Sequence, residues 1–226
     1  ALIAERSELD MILVGDSLGM TALGYEDTIP VTLEESLHHT KAVTRAAKET
    51  FVVGDMPFMS YQVSVEQAVQ NAGRLVKEGM AQSVKLEGGE SVAPQIKAIV
   101  QAGIPVCAHL GLTPQSVNSL GGYKLQGRSE EEKARLRKDA QIIQEAGASM
   151  LVLEMVPTKL AAEISALVDI PTIGIGAGPF CDGQVLVCND LLGMNLSFTP
   201  KFLKRYAQLE ETILDSFTTY IKEVRE

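Results

Sequence analysis

Five titratable side chains lie at or just after the ends of short apolar runs, where they could act together in chemistry. They are Asp16, Asp55, Glu87, His109 and Glu154. Two of them follow nearly the same letters, L-V-G-D and V-V-G-D. A single carboxylate after a strand is more often a helix cap or a solvated loop residue. Several carboxylates on one rim repel each other, so their convergence would call for a metal ion.

The stretch V-K-L-E-G-G (84–89) adds a cation to this set. Val84 and Leu86 have the alternation of a half-buried strand. Lys85 and Glu87 therefore share the opposite face, which indicates that something at that face uses both charges. The alternative is that the two side chains only pair with each other, which would be weak stabilisation.

The type of ligand narrows the choice of metal. Oxygen ligands without a set of cysteines and histidines favour a hard ion, and Mg²⁺ is the ion that best fits this description. Zinc is disfavoured because His38 and His39 are adjacent on a predicted helix and cannot face one site together. We interpret both histidines as ordinary polar or partly buried helix residues.

Short apolar runs rich in Val and Ile alternate with longer amphipathic stretches along the chain. The predicted strands are 11–15, 51–54, 83–86, 105–109, 150–153, 172–176 and 185–188. The predicted helices are 33–47, 65–79, 93–102, 130–146, 158–168 and 201–225. This alternation predicts a parallel sheet. Seven strands over this length favour a (β/α)₈ barrel that lacks one unit, in which the candidate residues would meet at one mouth, with a doubly wound sheet as the alternative.

Composition excludes several classes of protein. The chain has 226 residues, of which 46% are hydrophobic, and a mean hydropathy of +0.10. It has no apolar run of membrane-spanning length, and charges in the first ten residues argue against a signal peptide. Three cysteines without C-x-x-C spacing predict reduced thiols in the cytoplasm. A net charge of −9 without a basic cluster argues against nucleic acid, which leaves metal ions and small molecules as partners.

Long stretches of the sequence resemble the signature of the ketopantoate hydroxymethyltransferase (3-methyl-2-oxobutanoate hydroxymethyltransferase) family, in the family's order. These are V-G-D-S-L-G-M-T-A-L-G-Y-E-D-T-I-P-V-T-L-E-E (14–35), D-M-P-F-M-S-Y (55–61), K-L-E-G-G (85–89), H-L-G-L-T-P-Q-S-V-N (109–118), G-G-Y-K-L-Q-G-R (121–128), V-L-E-M-V-P (152–157) and G-I-G-A-G-P-F-C-D-G-Q (174–184). The resemblance implies a (β/α)₈ TIM barrel of the phosphoenolpyruvate/pyruvate superfamily type. It also implies a homo-oligomer, because members of the family are often decamers.

The resemblance implies a reaction and a set of roles. The reaction is transfer of a hydroxymethyl group from 5,10-methylenetetrahydrofolate to 3-methyl-2-oxobutanoate, which gives 2-dehydropantoate in pantothenate biosynthesis. The implied Mg²⁺ ligands are Asp16, Asp55 and Glu87, and the implied substrate-binding residues are Asp16, Ser17, Asp55 and Lys85. Glu154 occupies the position of the catalytic general base.

This chemistry begins with removal of a proton from C3 of the oxo acid. Mg²⁺ chelated by the substrate's carboxylate and keto oxygens would stabilise the enolate that forms. Apolar residues before Glu154 would raise its pKa and sharpen its basicity. The alternative is that Glu154 caps the helix beginning near Thr158, and His109 is then the nearest other base.

Two glycine-rich segments have less specific readings. The segment G-I-G-A-G (174–178) could cradle a phosphate. With the folate and oxo-acid ligands that the resemblance implies, close packing or backbone contact with the substrates is the better interpretation. The loop 121–128 carries Lys124 and Arg128, which would suit the acidic tail of folate, although solvated loop charges are the usual finding.

We expect one barrel domain over residues 1–226, with its first strand missing from the chain and truncation at both termini. Two other functions compete with the implied one. The first is a Mg²⁺-dependent lyase or mutase of the same superfamily, which would not need folate. The second is a non-catalytic assembly subunit, which the intact acidic residues disfavour.

Overall fold

The computed structural model describes residues 1–195 and 202–226, which form two compact units, Ala1–Gln184 and Val185–Glu226. The strands of the first unit are β1 Met11–Val14, β2 Phe51–Asp55, β3 Ser83–Glu87, β4 Val106–Gly111, β5 Met150–Glu154, β6 Thr172–Ile175 and β7 Gly183–Gln184. Its helices are α1 Leu2–Glu5, α2 Leu18–Thr21, α3 Leu33–Ala46, α4 Val65–Lys77, α5 Ala93–Gln101, α6 Val117–Leu120, α7 Glu130–Glu145 and α8 Thr158–Leu167. The second unit contains α9 Cys188–Leu191 and α10 Leu209–Arg225. A single domain over residues 1–226 stays a prediction.

The seven strands of the described residues form one parallel sheet, and their order in the sheet is their order in the chain. Parallel neighbours need a crossover connection, and helices such as α3, α4 and α5 supply it between successive strands. A doubly wound sheet reverses its strand order in the middle. The unbroken order from β1 to β7 is instead that of a (β/α)₈-type barrel, so this prediction is confirmed.

Local signals explain where the longer helices begin. Thr32 and Glu35 form a reciprocal capping box at the start of α3, and Ser129 and Glu132 form another at the start of α7. Ser64 caps α4 by accepting a hydrogen bond from the backbone N–H of Gln67. These caps fix the starts of the helices that cover the sheet.

Strand β3 is buried at all five positions, so the prediction that it is half-buried is wrong. The reason is that helices cover one side of the parallel sheet while its other side is filled by side chains. Val84 and Leu86 belong to the main apolar core with residues of the helices, such as Leu75 and Ile99. The alternation that directs Lys85 to the opposite side of the sheet from Val84 and Leu86 is as predicted.

Two other boundaries differ from the predictions. The apolar run 185–188 is not a strand, because the last strand is Gly183–Gln184 and Cys188 already begins α9. Asn189 and Asp190 follow this run, and residues of that type favour turns and caps over strands. The last helix begins at Leu209, whereas the predicted start at residue 201 lies outside the described residues.

Two further findings concern membrane-spanning helices and the state of the cysteines. No helix within residues 1–195 or 202–226 has both the length and the apolar character needed to cross a membrane. Cys107, Cys181 and Cys188 are free thiols, and the first of them is buried in β4.

Candidate active site

The predicted site residues lie at one edge of the sheet, which we call the carboxyl edge because the strands end there. Asp16 follows β1, Asp55 ends β2, Glu87 ends β3 and Glu154 ends β5. Lys85 and His109 lie within β3 and β4, where they are the direct register partners of Asp55 and Glu87. We call these six side chains the acidic cluster. All of them except Glu154 are at most 5% exposed.

Lys85 makes its closest contacts with Asp55 rather than with Glu87. Its Nζ donates to Asp55 Oδ1 at 2.8 Å and to Oδ2 at 2.9 Å, whereas Glu87 Oε1 is 3.5 Å away. Asp55 and Lys85 are direct partners in the register of β2 and β3, which explains the short distances. The alternative in which Lys85 and Glu87 only pair with each other is therefore wrong.

Asp16 lies against the same carboxylate. Its backbone N–H donates to Asp55 Oδ2 at 2.9 Å, so the turn after β1 brings the two aspartates together. A Cβ placed on Gly15 would lie 3.3 Å from Ser17 Oγ and 3.7 Å from Asp55 Oδ2. The Ser17 hydroxyl thus faces the same small space beside Gly15 as the Asp55 carboxylate does.

His109 connects the two glutamates of the cluster. Its Nδ1 is 3.4 Å from Glu87 Oε1 and its Nε2 is 3.3 Å from Glu154 Oε2. Neither ring nitrogen forms a well-aligned hydrogen bond, so these contacts are mainly electrostatic. Burial lowers the pKa of His109, but the carboxylates of Glu154 and Glu87 outweigh it and raise the pKa to about 9. The imidazole is therefore a cation between two carboxylates at neutral pH.

Glu154 does not cap α8, contrary to the alternative drawn from the sequence. The cap residue of α8 is Pro157, and no side chain accepts a hydrogen bond from the start of that helix. The Glu154 side chain is 19% exposed, which makes it the most accessible member of the cluster. Gly111 packs against its backbone, has φ +94°, and could not carry a Cβ without colliding with the Glu154 carbonyl oxygen.

Burial shifts the pKa of each aspartate in the cluster. Burial and the neighbouring Asp55 raise the pKa of Asp16 well above its usual range. Burial also raises the pKa of Asp55, although Lys85 opposes this. Asp16 has no cation within hydrogen-bonding distance among the described residues. An added cation would therefore stabilise its ionised form most.

For Glu87 and Lys85, neighbouring opposite charges outweigh burial in setting the pKa. Burial would raise the pKa of Glu87, but Lys85 and His109 outweigh it and lower the pKa. Burial would lower the pKa of Lys85, but Asp55 and Glu87 outweigh it and raise the pKa well above its usual range. With its four carboxylates ionised and its two basic groups protonated, the cluster has a formal charge of −2.

The described residues do not contain three acidic, histidine or cysteine side chains in a geometry that already fits a metal ion. Both carboxylate oxygens of Glu87 already have partners. Oε1 contacts Lys85 and His109, and Oε2 accepts a hydrogen bond from the backbone N–H of Gln115 at 3.1 Å. Mg²⁺ commonly takes one or two carboxylates together with waters and substrate oxygens. The oxygen donors of the cluster and its excess of carboxylates over basic groups fit such an ion, and Asp16 and Asp55 are in direct contact through the Asp16 backbone N–H.

Reasoning from the sequence missed Gln115 and Tyr61. The Gln115 side chain donates to Asp16 Oδ2 and to the Met56 carbonyl oxygen, both at 2.9 Å, and its Oε1 accepts from the Tyr61 hydroxyl at 2.7 Å. Both residues are at most 3% exposed. A polar residue soon after a strand, in a long matched stretch, was the only available signal for Gln115.

The other sequence candidates lie outside the cluster. Lys124 and Arg128 are exposed in the loop after α6, and His38 and His39 lie on α3 with ring centroids 5.5 Å apart. In the segment 174–178, a Cβ on Gly178 would collide with the Thr158 side chain. Close packing is thus the observed role of that glycine.

Known structures with related folds agree with the barrel architecture. A crystal structure of a putative lyase/mutase from Burkholderia cenocepacia J2315 has a TM-score of 0.58 at 16% identity, over 100% of this chain and 78% of that one. A crystal structure of phosphonopyruvate hydrolase in complex with oxalate and Mg²⁺ has a TM-score of 0.56 at 14% identity, over 77% of this chain and 62% of that one. At these identities the likeness extends to the fold alone.

Sequence comparisons are more specific. The family model described as ketopantoate hydroxymethyltransferase matches residues 1–226. The 3-methyl-2-oxobutanoate hydroxymethyltransferases of Clostridium novyi and Thermoanaerobacter sp. are 60% and 57% identical, each over 100% of this chain and 82% of its own length. The chain therefore belongs to the ketopantoate hydroxymethyltransferase family.

Proposed function

We propose that this hydroxymethyltransferase moves a one-carbon unit from 5,10-methylenetetrahydrofolate to C3 of 3-methyl-2-oxobutanoate and so forms 2-dehydropantoate for pantothenate biosynthesis. The observation that carries the proposal is the continuity of the acidic cluster. One end of it is the Lys85–Asp55–Asp16 group, and the other end is Glu154, with Glu87 and His109 between them. An anion binding group and a base are thus parts of one connected arrangement.

The oxo acid is an anion, so its site needs cations and hydrogen-bond donors. Lys85 supports this role because its ammonium is buried, charged and held in place by both oxygens of Asp55. A desolvated ammonium interacts more strongly with a carboxylate or a developing oxyanion than a solvated one does. The hydroxyl of Ser17, beside Asp55, adds a donor for the same substrate oxygens.

A divalent cation completes this assignment, and we propose Mg²⁺ with Asp16, Asp55 and Glu87 as the residues that would hold it. When bound, such an ion polarises the keto group of the substrate and so makes the C3 proton more acidic. The excess of carboxylates over basic groups in the cluster, four against two, supports a divalent cation at this place, and so does the raised pKa of Asp16, because a bound cation would favour its ionised form. Asp16 and Asp55 keep the substrate's reacting end oriented toward the remaining groups of the cluster.

Glu154 is the proposed general base that takes the proton from C3. Its partial exposure supports this role, because a base must reach a substrate that enters from the carboxyl edge. The protonated His109 beside it orients the Glu154 carboxylate. Gly111 supports the same geometry by allowing β4 to approach the backbone of Glu154 closely.

The folate donor, the cell compartment and the assembly state complete the proposal. The exposed cations Lys124 and Arg128 would meet the acidic tail of folate. Reduced thiols at Cys107, Cys181 and Cys188 are consistent with a cytoplasmic enzyme. We further propose that the chain assembles as a homo-oligomer.

Exchange of the C3 hydrogen of 3-methyl-2-oxobutanoate with D₂O tests the role of the base, since exchange needs proton removal but no folate. Glu154→Gln keeps the size of the side chain and removes its basicity. We expect exchange and the complete reaction to fall together by about 10²–10⁴-fold, with oxo-acid binding nearly unchanged. Loss of the complete reaction with normal exchange would assign Glu154 to the folate half of the reaction. If the parent enzyme makes product without folate, the proposal that 5,10-methylenetetrahydrofolate is the donor is refuted.

A further inference from the structure

Gln115 joins three segments of the acidic cluster that are far apart in the chain. It lies in a single 3₁₀ turn, Pro114–Ser116, after β4. Its side-chain nitrogen contacts Asp16 Oδ2 and the Met56 carbonyl oxygen, each at 2.9 Å. Its backbone N–H contacts Glu87 Oε2 at 3.1 Å. One residue therefore donates hydrogen bonds to two of the three carboxylates proposed for the metal.

The Tyr61 hydroxyl determines which way the Gln115 amide points. The Tyr61 hydroxyl hydrogen has two acceptors within reach, and Gln115 Oε1 at 2.7 Å is nearer than the Glu87 carbonyl oxygen at 3.2 Å. The Tyr61 oxygen in turn accepts from the backbone N–H of Glu87 at 3.1 Å. A flipped amide would direct its oxygen at the acceptors of Asp16 and Met56, which is unfavourable.

We propose that Gln115 is a positioning residue for the metal and substrate site: its amide orients the Asp16 carboxylate, its backbone N–H orients that of Glu87, and Tyr61 holds the amide in the required direction. This inference rests on the proposed function, because it assumes that these carboxylates receive a cation. Gln115 acts on the carboxylates and not on the reacting atoms.

Gln115 donates hydrogen bonds to buried carboxylates. Bonds to ionised groups are stronger than bonds between neutral groups, and an acceptor left without its donor in a buried place is unfavourable. Groups that orient metal ligands from outside typically change metal affinity or activity by about 10–100-fold when they are replaced. We expect an effect in that range for the loss of the Gln115 amide.

The variant Gln115→Met keeps the length of the side chain and the backbone N–H but removes the amide. Tyr61→Phe keeps the ring and removes the hydroxyl. Gln144→Met is the matched control, because the Gln144 side chain accepts from the backbone N–H of Asp169 at 2.6 Å, before β6 and thus at the opposite edge of the sheet. The same exchange of residue types there leaves the acidic cluster unchanged.

Calorimetric titration of Mg²⁺ into each folded variant, with saturating 3-methyl-2-oxobutanoate, measures the effect directly and without turnover. We expect Gln115→Met to weaken Mg²⁺ binding by about 10–100-fold and Tyr61→Phe by about tenfold, with Gln144→Met like the parent. The double variant should lose less than the product of the two single losses, because Tyr61 acts through Gln115. A purely structural role would give independent losses that follow the thermal stability of each variant.

Two results would overturn the inference. If the parent binds Mg²⁺ and Gln115→Met binds it within about twofold of the parent, Gln115 does not position the site. If Gln115→Met does not fold, Tyr61→Phe alone decides, and parent-like Mg²⁺ binding by that variant overturns the proposal. A parent that binds no Mg²⁺ with the oxo acid overturns the proposed function itself, which is a separate and recognisable result.

Discussion

Replacing Lys85 by methionine should destabilise the protein in a way that depends on pH. Lys85 and Asp55 are at most 5% exposed, so the substitution leaves a buried carboxylate without its cation. Breaking a buried ion pair by removing one partner typically costs about 3–5 kcal/mol. The affected quantity is the free energy of unfolding, and its pH dependence identifies the group responsible.

The magnitude can be worked out for protonation of Asp55. If the buried carboxyl becomes neutral in the variant, the cost relative to a free Asp of pKa about 3.9 is about 4 kcal/mol at pH 7 and about 1.5 kcal/mol at pH 5. The pKa of Asp55 in the folded variant is raised above its unfolded value, so the folded state binds the proton more tightly. The stability lost on substitution should therefore shrink by up to about 2.7 kcal/mol between pH 7 and pH 5, less the pH dependence that the already raised pKa of Asp55 gives the parent.

Urea denaturation followed by circular dichroism at both pH values, on parent and variant, measures this difference. Lys138→Met is the matched control, because Lys138 pairs with Glu90 at 2.8 Å but both side chains are more than 60% exposed. That control should show little change at either pH. A loss for Lys85→Met that is the same at pH 7 and pH 5, or that is below about 1 kcal/mol at pH 7, would refute the reasoning.

Three further predictions follow from single residues. The pKa of His109 is raised from 6.5 to about 9, so its stabilising charge is fully present below pH 6.5 and is lost as pH rises through 9. The stability difference between parent and His109→Gln should therefore shrink by about 3 kcal/mol over this window in denaturation experiments, and a constant difference would contradict the assignment. Burial raises the pKa of the Cys107 thiol to about 12, so iodoacetamide at pH 8 should label the exposed Cys188 and spare Cys107 in the native protein, as peptide mass spectrometry can check. Equal labelling would refute the burial. Gly111→Ala should cost more than Gly103→Ala, by about 1–3 kcal/mol, because both glycines have positive φ but only the first would collide with Glu154; equal thermal shifts would contradict this.

The sequence carried enough information to predict which residues meet at the carboxyl edge. A parallel sheet brings the ends of its strands to one side, so Asp55, Glu87 and Glu154 could be placed together from the strand pattern alone. The same pattern failed at residues 185–188, because an apolar run of four is compatible with several local structures. Apolar periodicity thus located the strands that are covered by helices and misjudged the last one.

The partners within the cluster could not be predicted in the same way. Whether Lys85 meets Asp55 or Glu87 depends on the register between β2 and β3, which no local signal in either strand encodes. Gln115 reaches Asp16, a residue 99 positions earlier in the chain, only because the turn after β4 folds back over the sheet. Loop conformations of this kind follow from tertiary packing and not from the residue types in the loop.

A crystal of the protein soaked with Mn²⁺ and 3-methyl-2-oxobutanoate, with Mn²⁺ as an anomalous scatterer in place of Mg²⁺, tests the central claim most directly. We predict one strong anomalous peak in contact with the carboxylates of Asp16 and Asp55, and the oxo acid bound beside it with a carboxylate or keto oxygen within reach of Lys85 Nζ. Its C3 should face the Glu154 carboxylate. An oxo acid bound at the carboxyl edge without a metal peak, or a metal peak away from both aspartates, would contradict the account.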